Sequence, residues 1–199
     1  MSLLSLSFLV FFALSLVAYY FFPKKYRWVW LLVISIVFYL MADIRYMAFL
    51  AFSIITTYFA GRLMDELSAE KTEASSETQK RRKRWILAVV LILNIGCLVF
   101  LKFYNYTANA IGLLAGYLNI NLTPPVFDLI MPLGISFFTL QVAGYCIDVY
   151  REKVKSERHF LKYALFVSFF PQIIQGPIPR YDFLAPQLTE PHAFQYKNL

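Results

Sequence analysis

An all-α fold threaded several times through a lipid bilayer is what this sequence predicts, and three observations predict it. The 199 residues are 59% hydrophobic, 19% aromatic and only 16% charged, against about 45–50% apolar and roughly 25% charged in a soluble domain. A mean hydropathy of +0.57 exceeds what one water-facing core needs. The apolar residues gather in helix-length runs, and the basic residues gather between alternate runs. A single membrane domain over residues 1–199, with about five to seven transmembrane or re-entrant segments, accommodates all three.

The first run, residues 3–22 (LLSLSFLVFFALSLVAYYFF), carries no charge, and about 20 apolar residues cross a hydrocarbon core of about 30 Å. A cleaved leader has a basic region before its apolar run and small residues after it. Here Lys24, Lys25 and Arg27 come afterwards, and Tyr19, Tyr20, Phe21 and Phe22 stand where small residues would. We therefore read an uncleaved first helix. Further spans are expected over residues 28–42, 46–60, 85–101 and 129–147, with a shorter one at 163–174. Trp28, Trp30, Tyr46, Trp85 and Tyr104 fall near run ends, where an interfacial aromatic belt places them.

Charge orients the chain. Lys24, Lys25 and Arg27 lie in the first connection. Arg62, Lys71, Lys80, Arg81, Arg82, Lys83 and Arg84 lie in the third, and Arg151, Lys153, Lys155, Arg158 and Lys162 in the fifth; the intervening connections hold Arg45 and Lys102. Positive residues favour the cytoplasmic side, so these three connections face inward and the N-terminus faces outward. That alternation requires residues 103–122 to lie at the outer interface or re-enter. Asn105, Asn109, Gly112, Gly116, Asn119 and Asn121 suit such a segment. Residues 62–84 read as a charged, flexible cytoplasmic loop without an apolar face. The basic run 80–84 directly precedes a span, so it reads as a topology anchor on anionic lipid and not as a nucleic-acid site.

Soluble-enzyme signatures are missing: there is no phosphate-cradling glycine loop, HExxH, GxSxG or Cys/His metal cluster. Cys97 and Cys146 sit singly in apolar runs and read as small helix residues. His159 and His192 lie outside the apolar spans and read as exposed loop residues. More weight falls on polar groups inside apolar runs, because placing them in lipid is costly. In residues 131–150 (MPLGISFFTLQVAGYCIDVY) these are Ser136, Thr139 and Gln141, closed by Asp148, with Pro132 and Gly134 permitting an irregular start. At about 100° per residue Gln141, Tyr145 and Asp148 share one helical face. That face serves either helix–helix hydrogen bonding or a polar cavity.

Residues 169–188 (FFPQIIQGPIPRYDFLAPQL) interrupt an apolar segment with Pro171, Gly176, Pro177, Pro179 and Pro186. Proline lacks an N–H and restricts the residue before it. At membrane depth broken backbone survives only inside protein or along a wet cavity, so this stretch is expected to line an internal funnel. Arg180 could grip a phosphate or carboxylate bidentately or pair with Asp182.

Two ordered blocks, MPLGISFFTLQVAGYCIDVYRE and FLKYALFVSFFPQIIQGPIPRYDFLAPQL, closely resemble the membrane-bound O-acyltransferase family. The nearest branch is the bacterial alginate O-acetyltransferase type, with its PLGISFFTFQ…YxIDVYR and FxSFFPQxxxGPIxR patterns. GRLMDE and LKFYNY fit the same branch, and the resemblance covers essentially the whole chain. It implies a helical ring around a thinned centre with a tunnel, in a bacterial plasma (inner) membrane. It further implies transfer of an acyl group, usually acetyl, to a hydroxyl of an extracytoplasmic glycan or to a partner protein that relays the group.

The positions matching the family motifs are Ser136, Gln141, Asp148, Arg151, Pro171, Gln172, Gly176, Pro177 and Arg180, with 171–180 near the tunnel. No cofactor is expected to stay bound, and acetyl-coenzyme A is the implied acyl donor; the expected partners are membrane lipid, that donor and the glycan or relay protein. Members of the branch are about twice this length or more. Their catalytic histidine lies in the later half, beyond Leu199, and neither His159 nor His192 has its context. The residues also admit a non-catalytic scaffold or channel-like subunit for polysaccharide export. A secondary transporter would favour inverted repeats, and none is convincing here.

Overall fold

In the computed structural model, residues 6–69, 76–117, 134–173 and 179–190 are described. They form α1 (Leu6–Phe21), a short 3-10 turn (Lys24–Tyr26), α2 (Arg27–Ala42), α3 (Ile44–Ala69), α4 (Ser76–Tyr117), α5 (Ile135–Tyr150), α6 (Phe160–Ser168), α7 (Phe170–Ile173) and α8 (Tyr181–Thr189). There is no strand among the described residues. Lys24–Ala42, Ile44–Ala69 and Glu77–Tyr104 are long and apolar enough to cross a membrane, and Phe8–Phe21 and Ile135–Tyr150 are shorter apolar helices. The all-helical, multi-pass architecture holds.

Helices α2 to α5 run back and forth. Asp43 alone separates α2 from α3, and Arg45 grips its carboxylate from two residues away at 2.9 Å. Arg27 therefore lies at the opposite end from Asp43, together with the C-terminus of α3, the start of α4 and the connection after α5. Three long-range bonds fasten that end: Tyr58 OH to the Arg158 carbonyl at 2.7 Å, Ser156 Oγ to Asp65 Oδ2 at 2.9 Å, and Lys83 Nζ to Glu152 Oε1 at 2.6 Å. The three basic connections thus gather at one end of the bundle. Across α3 and α4, Asn94 Nδ2 donates to Thr56 Oγ1 at 3.1 Å.

At the same end Arg27 folds back over the C-terminus of α1. Its Nε donates to the Phe22 carbonyl at 3.1 Å and its Nη2 to the Tyr20 carbonyl at 3.3 Å, and the guanidinium lies over the Tyr19 and Tyr20 rings. A cation on the last carbonyls of a helix satisfies orphan acceptors and suits the dipole there. This explains how an arginine is buried in so apolar a neighbourhood.

Three expectations need correction. The segment 62–84 is mostly helix: α3 runs on to Ala69 and α4 begins at Ser76. Its Glu, Lys, Arg and Ala residues are good helix formers, and Arg62 pairs with Glu66 at i,i+4. Residues 103–117 are not a separate re-entrant piece but the continuation of α4, whose 42 residues extend about 63 Å. Residues 118–122 lie outside the described residues. The described part of the short span at 163–174, residues 163–173, is two helices broken at Phe169; the nine residues of α6 rise only about 14 Å, too little to cross the bilayer.

Candidate functional site

The break between α6 and α7 is where the polar residues of the apolar segments converge. Phe169 leaves the helix with φ −58° and ψ 100°, two residues ahead of Pro171, which cannot donate to the carbonyl four residues earlier. A break at this depth orphans backbone groups that water cannot reach. Two side chains take them. Gln141 Nε2, from α5, donates to the Phe166 carbonyl at 2.9 Å. Ser35 Oγ, from α2, accepts the Phe170 N–H at 3.5 Å and donates to its own Leu31 carbonyl. Gln141 Nε2 also reaches Gln172 Oε1 at 3.3 Å.

The Gln141–Tyr145–Asp148 face of α5 meets this broken region along its length. One turn beyond Gln141, Tyr145 is buried among the rings of Tyr163 and Tyr181, with centroids 4.7 and 5.0 Å away. Its hydroxyl accepts the Glu157 N–H at 3.0 Å. Tyr163 OH donates to Thr57 Oγ1 at 2.7 Å, and Thr57 passes a bond on to the Ser53 carbonyl. Last on the face, half-buried Asp148 meets the Arg180 guanidinium at 3.3 Å.

Several members of this assembly carry no local sequence signal. Glu157 uses both carboxylate oxygens, accepting from the Tyr181 hydroxyl and from the His159 N–H that opens α6. It therefore ties α8, α6 and, through its own N–H, α5. Burial, followed by the bond to Glu157, holds the Tyr181 hydroxyl well above the usual tyrosine range. Gly61 of α3 lies so close to Tyr145 that an added Cβ would sit 3.0 Å from Cε1 and 3.1 Å from the hydroxyl oxygen. Only the appearance of Gly61 at the head of GRLMDE, opposite a helix rich in bulky side chains, hinted at such an approach.

The candidate residues separate into groups. Gln141 and Gln172 meet each other, and Asp148 meets Arg180. Arg180 also reaches Asp182, at 3.7 Å, so the expected local pair exists beside a shorter one from α5. Ser136 lies half-buried near the start of α5, about 7 Å along the axis from Gln141, and joins neither cluster. Pro171 is half-buried and faces an apolar hollow with Phe170 and Leu184. Gly176, Pro177 and His192 lie outside the described residues. Arg151 caps the end of α5, its N–H donating to the Ile147 carbonyl. His159 is exposed. Cys97 and Cys146 are free thiols inside helices, the latter buried.

The end of α5 carries an unusual device. Glu152 adopts φ 58°, its N–H returns to the Val149 carbonyl, and the Lys153 N–H returns to the Asp148 carbonyl. That is the glycine-favoured Schellman turn with a glutamate in the glycine position. Its carboxylate pairs with Lys83, which is only 8% exposed at its side chain. Lys83 is therefore spent inside the protein, unlike the exposed Lys80, Arg81, Arg82 and Arg84 of the same run. The Lys83 ammonium, helped by Ser68 and Lys80, holds the Glu152 carboxyl below the usual carboxylate range. A depressed carboxyl contributes stability above its unfolded-state pKa that is lost as pH falls through the folded one. The unfolding temperature of the purified chain is thus expected to fall on acidification below the ordinary glutamate range. Glu152→Gln should lower the unfolding temperature at neutral pH and flatten that acid slope. An unchanged slope in the variant would remove the pair from the account.

Comparison with known proteins gives the site a context. The chain is 33% identical to the peptidoglycan O-acetyltransferase of Helicobacter pylori over 89% of its own length and 34% of that protein's. It is 29% identical to the probable alginate O-acetylase AlgI of Pseudomonas syringae pv. tomato, over 86% of this chain and 31% of the relative. With the probable alginate O-acetylase AlgI of Azotobacter vinelandii it shares 28% identity over 90% of this chain and 34% of the relative. The chain therefore spans about a third of the length of the curated relatives it matches. No family model matches it, and no solved structure does.

Proposed function

We infer that this chain, a member of the membrane-bound O-acyltransferase family beside the peptidoglycan and alginate O-acetylases, contributes the wall of an acyl-transfer passage to a longer or assembled enzyme. That enzyme moves an acetyl group onto a hydroxyl of a cell-surface polysaccharide outside the plasma membrane. The observation that carries the reading is the polar seam of α5, with Gln141, Tyr145 and Asp148 spaced along a broken helix inside an otherwise apolar bundle. Polar groups at such depth mark pathways for polar or charged substrates.

With the three basic connections cytoplasmic, the Asp148–Arg180 end of the seam faces the cytoplasm and the Gln141 end lies toward mid-membrane. Acetyl-coenzyme A would approach from the basic end, where an arginine held by two carboxylates can turn to a phosphate or carboxylate. The acceptor is a glycan or a relay protein on the far side. Ser136, Gly176 and Pro177 complete the motif positions assigned to this passage, whereas Pro171 faces the apolar hollow beside α1. No described residue is assigned the role of base on the acceptor hydroxyl.

The test is polysaccharide acetylation by the longest natural form of the protein. Gln172→Ala and Arg180→Ala are each expected to lower acetylation at least several-fold with membrane insertion unchanged. Normal acetylation in both variants would defeat the passage. A second reading, a non-catalytic scaffold for polysaccharide export, draws on the fact that the Gln141 amide is already occupied by the Phe166 carbonyl. It predicts loss of polysaccharide export, and not of its acetylation alone, in the same strains.

A further inference from the structure

A hollow of about 380 Å³ lies between α1, α2 and the α7–α8 region. On α1 its wall is Phe12, Leu16, Tyr19 and Tyr20, one helical face running about 12 Å along the axis. Leu184 and Leu188, one turn apart on α8, form the facing wall. The hollow extends along α1 and is lined mostly by hydrocarbon and aromatic side chains. The opposite side of α1 exposes Val10, Leu14 and Phe21, so lipid reaches this helix from outside.

One end of the hollow is chemically different from the rest. Tyr19 and Tyr20 close it, and the buried Arg27 guanidinium lies 5.1 and 5.4 Å from their ring centroids, committed to the carbonyls of α1. Immediately beyond, exposed Lys24 and Lys25 form the 3-10 turn. Tyrosine rings mark the headgroup level of a bilayer, and clustered lysines there attract anionic lipid. An apolar slot ending in tyrosines and two exposed lysines, Lys25 with its ammonium 5.7 Å from the Tyr26 ring centroid, has the layout of an amphiphile with one anionic head. A peptide segment would need partners for its backbone N–H and C=O groups, and this wall offers few polar side chains besides Ser15 and Gln187. We propose that the hollow holds one acyl chain of an anionic diacyl phospholipid, whose phosphate rests on Lys24 and Lys25. The proposal is independent of the acetyl-transfer reading.

The test is native mass spectrometry of the full chain, released from detergent after equilibration with phosphatidylglycerol or phosphatidylethanolamine. One phosphatidylglycerol is expected to survive activation that strips phosphatidylethanolamine. Leu16→Trp, which fills the slot from a half-exposed position, should abolish the retained adduct. Lys24→Gln together with Lys25→Gln should erase the several-fold preference for phosphatidylglycerol while leaving some lipid bound. Equal retention of the two lipids by the unaltered chain, or an adduct undiminished by Leu16→Trp, would overturn the site. A photoreactive benzoylphenylalanine at Leu188 separates lipid from protein occupants. A cross-linked product heavier by one phospholipid supports the proposal, and a cross-link to peptide, from this chain or another, refutes it.

Discussion

Gly61→Val is expected to lower the unfolding temperature sharply, more than the same change at Gly96 or Gly144, where an added Cβ meets nothing within 4 Å. The added Cβ would lie 3.0 Å from Tyr145 Cε1, 3.1 Å from its hydroxyl oxygen and 3.4 Å from Cζ. Far ends of side chains often yield, but this ring has nowhere to go. It is 2% exposed, lies between Tyr163 and Tyr181, and is pinned by the Glu157 N–H. Overpacking a filled site costs about 1–3 kcal/mol, and a Glu157 N–H left unpaired adds about 1–3 kcal/mol. For a chain of this size each kcal/mol moves the midpoint by about 2–4 °C.

Backbone effects run the other way, since replacing a helical glycine with alanine gains about 1 kcal/mol of propensity. Gly96→Ala is therefore the control: an added Cβ there meets nothing within 4 Å, and the variant should be neutral or slightly stabilised. Adding Tyr145→Phe to Gly61→Ala should bring no recovery, because it removes the oxygen at 3.1 Å but leaves Cε1 at 3.0 Å and strips the Glu157 N–H of its acceptor. Differential scanning fluorimetry in detergent reads all four variants. An unchanged midpoint for Gly61→Val would mean that α3 and α5 do not approach as described.

The second large effect belongs to Gln141→Leu. This change keeps side-chain bulk but removes the donor that serves both the Phe166 carbonyl and Gln172 Oε1. A buried acceptor stripped of its partner costs about 1–3 kcal/mol, and here the acceptor belongs to a chain break with no water at hand. Gln172→Leu removes only the longer of the two bonds and should cost clearly less. In a double-mutant cycle the two losses should be sub-additive, because the shared bond can be lost only once. Proteolytic susceptibility near Phe169 reports the structural part, and polysaccharide acetylation by the longer natural protein reports the functional part. If Gln172→Leu proved as damaging to stability as Gln141→Leu, the bond to the Phe166 carbonyl would not be the principal one.

Particular residues show what was legible beforehand. The face of α5 was readable because Gln141, Tyr145 and Asp148 recur at helical spacing in a span otherwise nearly free of charge. That the prolines of 169–188 would interrupt the helix was readable because proline imposes its geometry locally, but the place was not: a span was expected across 163–174, and the helix stops at Phe169. Contacts between distant segments were not. Asp182 was the visible partner for Arg180, being two residues away, whereas Asp148 is thirty-two residues away and nothing local announces it. Lys83 is one cation in a run of five, and composition cannot say which of them turns inward. Glu157 looked like one more charge in a basic connection. The long α4 was missed because each asparagine or glycine lowers helix propensity by about 1 kcal/mol or less. A helix already propagating through apolar surroundings absorbs such costs. Polarity misled in the same way over residues 62–84, where lack of an apolar face was read as lack of structure.

The interrupted helix at Phe169 has a consequence for the order in which the chain can be built. Its stray carbonyl is received by α5 and its stray N–H by α2, and both helices precede it in the sequence. Ribosomal synthesis therefore delivers the receivers before the break itself emerges. The segment can be buried as it leaves the translocation machinery, without waiting for anything made later. A break served by downstream helices would instead have to linger, unsatisfied, at the edge of the bilayer.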